Sequence, residues 1–270
     1  MSSNSPIGFF DSGVGGTSIW KEVITLLPDE NTVYLADGKN APYGLKSQEK
    51  IVSLSVKNTE KLLEMGCKMI VVACNTATTN AIEYLRANYN MPFVGIEPAI
   101  KPAALASISK TVGILATKGT LSSALFAKTS SLYASEIKVI EVEGNGLVEL
   151  IEAGRINSPE MILLLKKYLK PMVAAHIDHL VLGCSHYPYL TPILKSLLPQ
   201  DVIIIDSGRA VAQQTKNLLK KHDLAALSPP VRNNAENEPA HNLFTNSKLD
   251  VLKYLTRDVI AKKKVRVLEF

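Results

Sequence analysis

The chain has 270 residues, 46% of them hydrophobic and 20% charged, with a formal net charge of +5. That length suits one large or two small domains, and the composition excludes both intrinsic disorder and a scaffold built on its three cysteines. No apolar run is long enough for a membrane span, and Met1-Ser2-Ser3-Asn4-Ser5-Pro6 is no export leader, so the expected location is the cytoplasm. Much of the positive excess lies in Lys262-Lys263-Lys264 and Arg266, read as a frayed, solvated tail. No stripe of basic and aromatic residues points to nucleic acid, while a positive average favours a small anionic substrate.

In chain order, short β-branched runs end in polar or glycine-rich turns. Ile7 to Phe10 runs into Asp11-Ser12-Gly13, and Thr32 to Ala36 into Asp37. Met69 to Ala73 runs into Cys74-Asn75-Thr76, and Phe93 to Ile96 into Glu97-Pro98. Each is too short for a buried helix and reads as a strand. Between the second and third, Ile51, Leu54, Leu62 and Met65 fall near one face of a helix from Lys50 to Met65, with Gly66 as its C-cap. The pattern then recurs as Thr111 to Thr117, Lys138 to Glu141, His179 to Cys184 and Val202 to Asp206. Strand-helix alternation predicts an α/β fold with mainly parallel sheets. Gly8 to Gly113, Asp37 to Glu141, Cys74 to Cys184 and Glu97 to Asp206 are each shifted by a little over a hundred residues, which suggests a duplicated domain.

The expectation is therefore two pseudo-symmetric, doubly wound α/β domains with the active site in the cleft between them. The first takes residues 1–98 plus 209–270, the second residues 99–208. After Arg209 come a helical stretch with Val211, Leu218 and Leu219, a polar loop from Ser228 to Pro239, and the short apolar run Asn242 to Phe244. Thr245, Asn246 or Ser247 is expected to cap a last helix through Ile260.

Ligands of open α/β sheets bind beyond the carboxyl ends of the strands. The residues there include Asp11, Asp37, Cys74-Asn75-Thr76 and Cys184-Ser185-His186. Two lobes facing one another would place one thiol on each wall. Such a pair suits racemisation, in which one group removes a proton from one face of a carbon and the other returns one to the opposite face. A thiol serves either role because its pKa lies near the working range and is tunable. Bland readings stand beside these. A cysteine after a strand is commonly a small apolar side chain, the reading given to Cys67. Asp11 and Asp37 read equally as helix caps. Gly13-Val14-Gly15-Gly16 lacks the third glycine of a dinucleotide loop and reads as a turn offering N–H groups to a carboxylate. His176 and His179 read as surface residues, and no metal site is expected.

The chain resembles the glutamate racemases of the cofactor-independent aspartate/glutamate racemase superfamily, over nearly its whole length. The resemblance rests on Phe10-Asp11-Ser12-Gly13-Val14-Gly15-Gly16, Tyr34-Leu35-Ala36-Asp37, Ala41-Pro42-Tyr43-Gly44 and Ala73-Cys74-Asn75-Thr76-Ala77-Thr78. It continues in Gly95-Ile96-Glu97-Pro98-Ala99, in Leu147 to Gly154 and in Leu182-Gly183-Cys184-Ser185-His186-Tyr187-Pro188. It implies interconversion of L- and D-glutamate for peptidoglycan synthesis, without a cofactor. By that resemblance Cys74 deprotonates the D-isomer and Cys184 the L-isomer. Asp11 and His186 assist the respective thiols, Asp37 and Glu152 are further supporting acids, and Glu152 orients His186. Asp11, Ser12, Tyr43, Gly44, Asn75, Thr76, Ser185 and His186 match substrate-binding positions. The family usually carries threonine at the place of Ser185, which keeps the hydroxyl and loses a methyl. Family members are often homodimers, and some need a peptidoglycan precursor as activator. Two alternatives remain: a racemase of aspartate using the same thiols, and a two-lobed amino-acid-binding protein without turnover.

Overall fold

The computed structural model describes residues 3–132, 136–226, 239–259 and 264–270. The β-branched runs become strands β1 (Ile7–Asp11), β2 (Thr32–Ala36), β3 (Met69–Val72) and β4 (Phe93–Gly95). The second set is β5 (Thr111–Ala116), β6 (Lys138–Glu143), β7 (His179–Gly183) and β8 (Ile203–Ile205), and the chain ends with β9 (His241–Thr245) and β10 (Val265–Val267). Among the described residues they form a six-stranded sheet in the order β10-β9-β2-β1-β3-β4 and a four-stranded sheet in the order β6-β5-β7-β8. Every pairing is parallel. Four strands of the first sheet thus repeat the order of the second, strand for strand.

Helices α1 (Thr17–Leu26), α2 (Gln48–Glu64) and α3 (Asn75–Asn88) connect the strands of the first set, α4 (Ile100–Ala106) leads to β5, and α5 (Lys118–Leu121) and α6 (Ala124–Ser131) lie between β5 and β6. α7 (Leu147–Glu152), α8 (Pro159–Ala174), α9 (Thr191–Leu197), α10 (Gly208–Lys221) and α11 (Asp250–Thr256) follow. Local chemistry sets their ends. Ser47 caps α2 by accepting the N–H of Lys50, and Gly66 beyond its C-terminus takes φ 75°, a conformation glycine adopts without strain. Ser158 caps α8, with Pro159 in the first turn where no N–H is needed.

Side chains alternate across each strand, so both faces of each sheet are covered. Phe10, Leu35 and Val72 face Ile51, Leu54 and Leu62 of α2. Val112, Ile114 and Val181 pack with Ile100 of α4 and Phe126 of α6. The remaining faces share one cluster that crosses from lobe to lobe. It holds Phe9, Trp20 and Val71 on one side and Leu147, Leu165, Leu180, Leu182 and Tyr187 on the other. Each such large side chain, fully buried, contributes roughly 1.5–3 kcal/mol.

The C-terminal segment departs from expectation. Asn242 to Phe244 lies in β9, which adds to the outer edge of β2. α11 begins at Asp250 with no side-chain cap, and Asn246 turns instead to Asp37 and the N–H of Lys39. The basic end is not frayed where it is described: Val265 is buried, Arg266 sits in β10, and Glu269 pairs with Lys39. Ser228 to Glu238, Ile260, Lys262 and Lys263 lie outside the described residues. His179 is not a surface residue. It opens β7, buried, 2.8 Å from Asp178, whose carboxylate also accepts from Ser107, Ile108 and Ser109. His176 is exposed.

Candidate active site

Residues beyond the C-terminal ends of β1, β2, β3, β5, β6 and β7 line one cavity of about 240 Å³. From the first lobe come Ser12, Pro42, Tyr43, Gly44, Cys74, Asn75 and Thr76; from the second come Thr117, Val148, Cys184, Ser185 and His186. Asp11, Asp37 and Glu152 stand behind this lining. A larger surface hollow of about 1040 Å³, between Lys46, Glu83 and Lys128, includes neither thiol.

On the first wall, Cys74 occupies the N-cap of α3, where its sulfur receives the N–H of Ala77 at 3.5 Å. The thiol points toward Ser12 Oγ at 3.8 Å. A helix N-terminus favours negative charge. Two effects oppose it: burial pushes the Cys74 pKa well up, and Asp11 adds like charge. Asp11 is itself buried, with its pKa raised by desolvation although His186 and the N–H of Gly16 pull it down. Its carboxylate receives the N–H groups of Gly13 and Gly16 and the hydroxyl of Ser185 at 3.2 Å, a bond made across the lobes.

On the second wall, Cys184 Sγ lies 3.8 Å from His186 Nδ1. His186 Nε2 is 2.6 Å from Glu152 Oε1. A carboxylate only accepts, which places a ring hydrogen on Nε2 and turns Nδ1 toward the sulfur. Burial alone pushes the His186 pKa down, but its hydrogen bonds to Cys184 and Glu152 outweigh this and carry it well above the usual value. The imidazolium is thereby favoured beside the thiol.

The glycine-rich turn after β1 fits around this pair. A Cβ on Gly15 would fall 2.1 Å from His186 Nδ1, and one on Gly13 would fall 1.9 Å from Glu152 Oε1. Without those side chains, the N–H of Val14 reaches Glu152 at 2.7 Å. The turn does present N–H groups to carboxylates, and here they are the protein's own Asp11 and Glu152.

Asp37 supports the site from outside the cavity. It accepts Tyr43 Oη–H at 2.5 Å, Asn40 Nδ2 at 2.8 Å and Asn246 Nδ2 at 2.6 Å, so it touches the Tyr43 side chain and not the thiols. Tyr43, buried, in turn receives Asn58 Nδ2 at 3.0 Å. The Asn75 side chain is buried at the cavity with both polar atoms unpartnered among the described residues. An unmatched buried amide costs about 1–3 kcal/mol, a cost a polar ligand would remove.

Thr117 was not singled out from sequence, although it directly follows β5 as Ser12 follows β1, and the internal repeat points to it. Its hydroxyl meets Thr76 across the lobes at 2.8 Å. Asn58 and Asn246 carry no local signal. Cys67 is buried away from the site, its pKa pushed up to about 12 by desolvation. Among the described residues, no helix is long and apolar enough to cross a membrane, and no group of three or more His, Cys, Asp and Glu is placed to hold a metal ion.

Comparisons with known proteins show the family. Residues 16–215 match the family model for Asp/Glu/hydantoin racemases. A glutamate racemase of Ectopseudomonas mendocina is 50% identical over 228 residues, covering 84% of this chain and 87% of the relative. Among solved structures, the Escherichia coli glutamate racemase in complex with L-glutamate and the activator UDP-MurNAc-Ala superposes with a TM-score of 0.84 at 32% identity, covering 98% of each chain. A Bacillus anthracis glutamate racemase gives 0.83 at 28% identity, covering 99% of this chain and 98% of that one. The chain belongs to the Asp/Glu/hydantoin racemase family.

Proposed function

We propose that this protein interconverts L- and D-glutamate by proton transfer at the α-carbon between Cys74 and Cys184. The observation that carries the reading is the pair of thiols, one from each lobe at matching strand ends, lining a single cavity. In the L-to-D direction the Cys184 thiolate takes the α-proton. The electron pair is left on the α-carbon and its carboxylate, and the Cys74 thiol gives its proton to the opposite face. The product is D-glutamate, with the proton now on Cys184 and the negative charge on Cys74; the D-to-L direction runs the same steps backwards. His186, held by Glu152, keeps positive charge beside Cys184. Burial and Asp11 favour a protonated Cys74, ready as the acid. The N-terminus of α3, the free amide of Asn75 and the hydroxyls of Ser12 and Thr76 face the cavity as donors for substrate carboxylates.

By the same family reading, the D-glutamate supplies peptidoglycan synthesis, the chain works in the cytoplasm as a homodimer, and a peptidoglycan precursor activates it. The last two are checked by sedimentation and by assay with and without UDP-MurNAc-Ala. The deciding experiment is proton NMR of the purified protein with L-glutamate in D₂O, alongside L-aspartate. Loss of the α-proton signal with D-glutamate forming supports the proposal. Exchange of aspartate alone transfers the activity to that substrate. No exchange of either, with activator present, leaves a binding protein.

A further inference from the structure

Residues 37–45 carry Tyr43 and Gly44 to the cavity, yet the segment is built only of two single 3-10 turns, Gly38–Asn40 and Tyr43–Leu45. Its position depends on side-chain bonds that converge on Asp37. Two of the three donors, Asn40 and Tyr43, belong to the segment itself. The third is Asn246, which follows β9 more than two hundred residues later and is equally buried. Its amide bridges two points, with Nδ2 giving to Asp37 and Oδ1 receiving the N–H of Lys39 at 2.9 Å. The same chain end makes two more contacts there. Lys39 pairs with Glu269, and Gly38 packs so closely on Ser247 that a Cβ would fall 2.7 Å from it. The Tyr43 hydroxyl gives its one hydrogen to Asp37 and receives from Asn58, so it has no donor left for a ligand.

We infer that Asn246 is a positioning residue for the reaction proposed above: by holding Asp37 and the Lys39 amide it sets where the Tyr43–Gly44 wall stands against the substrate. Asn246 lies beyond residue 215, where the family-model match ends. The inference rests on the racemase reading and assigns Asp37 a mechanical role, as an anchor rather than a proton carrier. Charge-assisted bonds between buried groups suit that role, since they are short and directional.

The test is steady-state racemisation in both directions for wild type, Asn246→Ala, Tyr43→Phe and the double variant, each assayed below its melting temperature. A displaced wall raises KM, whereas a loss of folded molecules lowers kcat and leaves KM alone. Asn246→Ala is expected to raise KM for both enantiomers about tenfold with kcat within about threefold of wild type. Tyr43→Phe, which cuts the bridge at its other end, should give the same split, and the double variant should be no worse than the worse single one. KM within about twofold of wild type in both single variants, or a fall in kcat alone, overturns the role. Should Asn246→Ala not fold, Asn246→Ser and Tyr43→Phe decide by the same split. A wild-type chain that turns over neither enantiomer overturns the proposed function and this role with it, so the two failures are distinct.

Discussion

The two lobes are built alike and equipped differently. β2-β1-β3-β4 and β6-β5-β7-β8 share strand order and direction, and a cysteine follows the third strand of each. Beside Cys74 stands a buried carboxylate, Asp11; beside Cys184 stands an imidazole backed by a carboxylate, His186 with Glu152. The duplicated fold places the thiols symmetrically, and the neighbours break the symmetry. One wall favours the proton on sulfur and the other favours positive charge beside it, which is what a reaction needing an acid opposite a base requires.

The largest test of that contrast removes one thiol at a time. Cys74→Ala or Cys184→Ala is expected to cut racemisation ~10³-fold or more, since a general acid or base is worth about 10²–10⁴-fold. The variants should differ in what survives: deuterium exchange into L-glutamate for Cys74→Ala and into D-glutamate for Cys184→Ala, read by NMR in D₂O. Next in size is Gly15→Ala, whose methyl overlaps the His186 ring. It should lower kcat about a hundredfold with glutamate binding less affected, measured by rate assay and calorimetry. Glu152→Gln keeps the shape and removes the charge that holds His186, for an expected fall of about tenfold in kcat. Because the equilibrium constant between enantiomers is unity, kcat/KM must fall equally in both directions. The wall-specific signal is a larger α-deuterium isotope effect from the L-enantiomer than from the D-enantiomer.

The smallest effect lies outside the site. His241, half-buried against Trp20 and near Lys264, has its pKa lowered to about 4, first by desolvation. A lowered folded pKa means the unfolded chain binds the proton first. The stabilising contribution is therefore whole above about pH 6.5 and is lost as pH falls toward 4. His241→Gln should flatten the fall in melting temperature over that interval and leave the rate at neutral pH unchanged.

What was legible in the sequence is what depends on local pattern. β-branched runs before polar turns located eight strands of the two sheets, and the near-constant shift between halves indicated their repeated order. The two cysteines were legible because a polar triplet follows each strand end. Contacts made at long range were not. Asn246 sits among Thr245 and Ser247 and looks like a helix cap; only the parallel pairing of β9 with β2 brings it under Asp37. Val265 to Val267 follows a run of lysines, and the charge concealed a strand whose first side chain is buried. His179 read as exposed because a histidine is usually a surface residue, and nothing local tells that this one opens a covered strand.

The place of β9 has a consequence for synthesis on the ribosome. The outer edge of β2 stays bare from the time the first four strands exist until residues 241–245 are made, after every strand of the second sheet. For that interval the nascent chain carries an open parallel edge, the kind of surface that pairs with other chains. Completion of the first sheet, and with it the seating of Asp37 and Tyr43, waits for residues made after the second sheet, Asn246 among them. Truncation near the C-terminus should thus yield a sticky first lobe with an unfinished cavity, however complete its thiols.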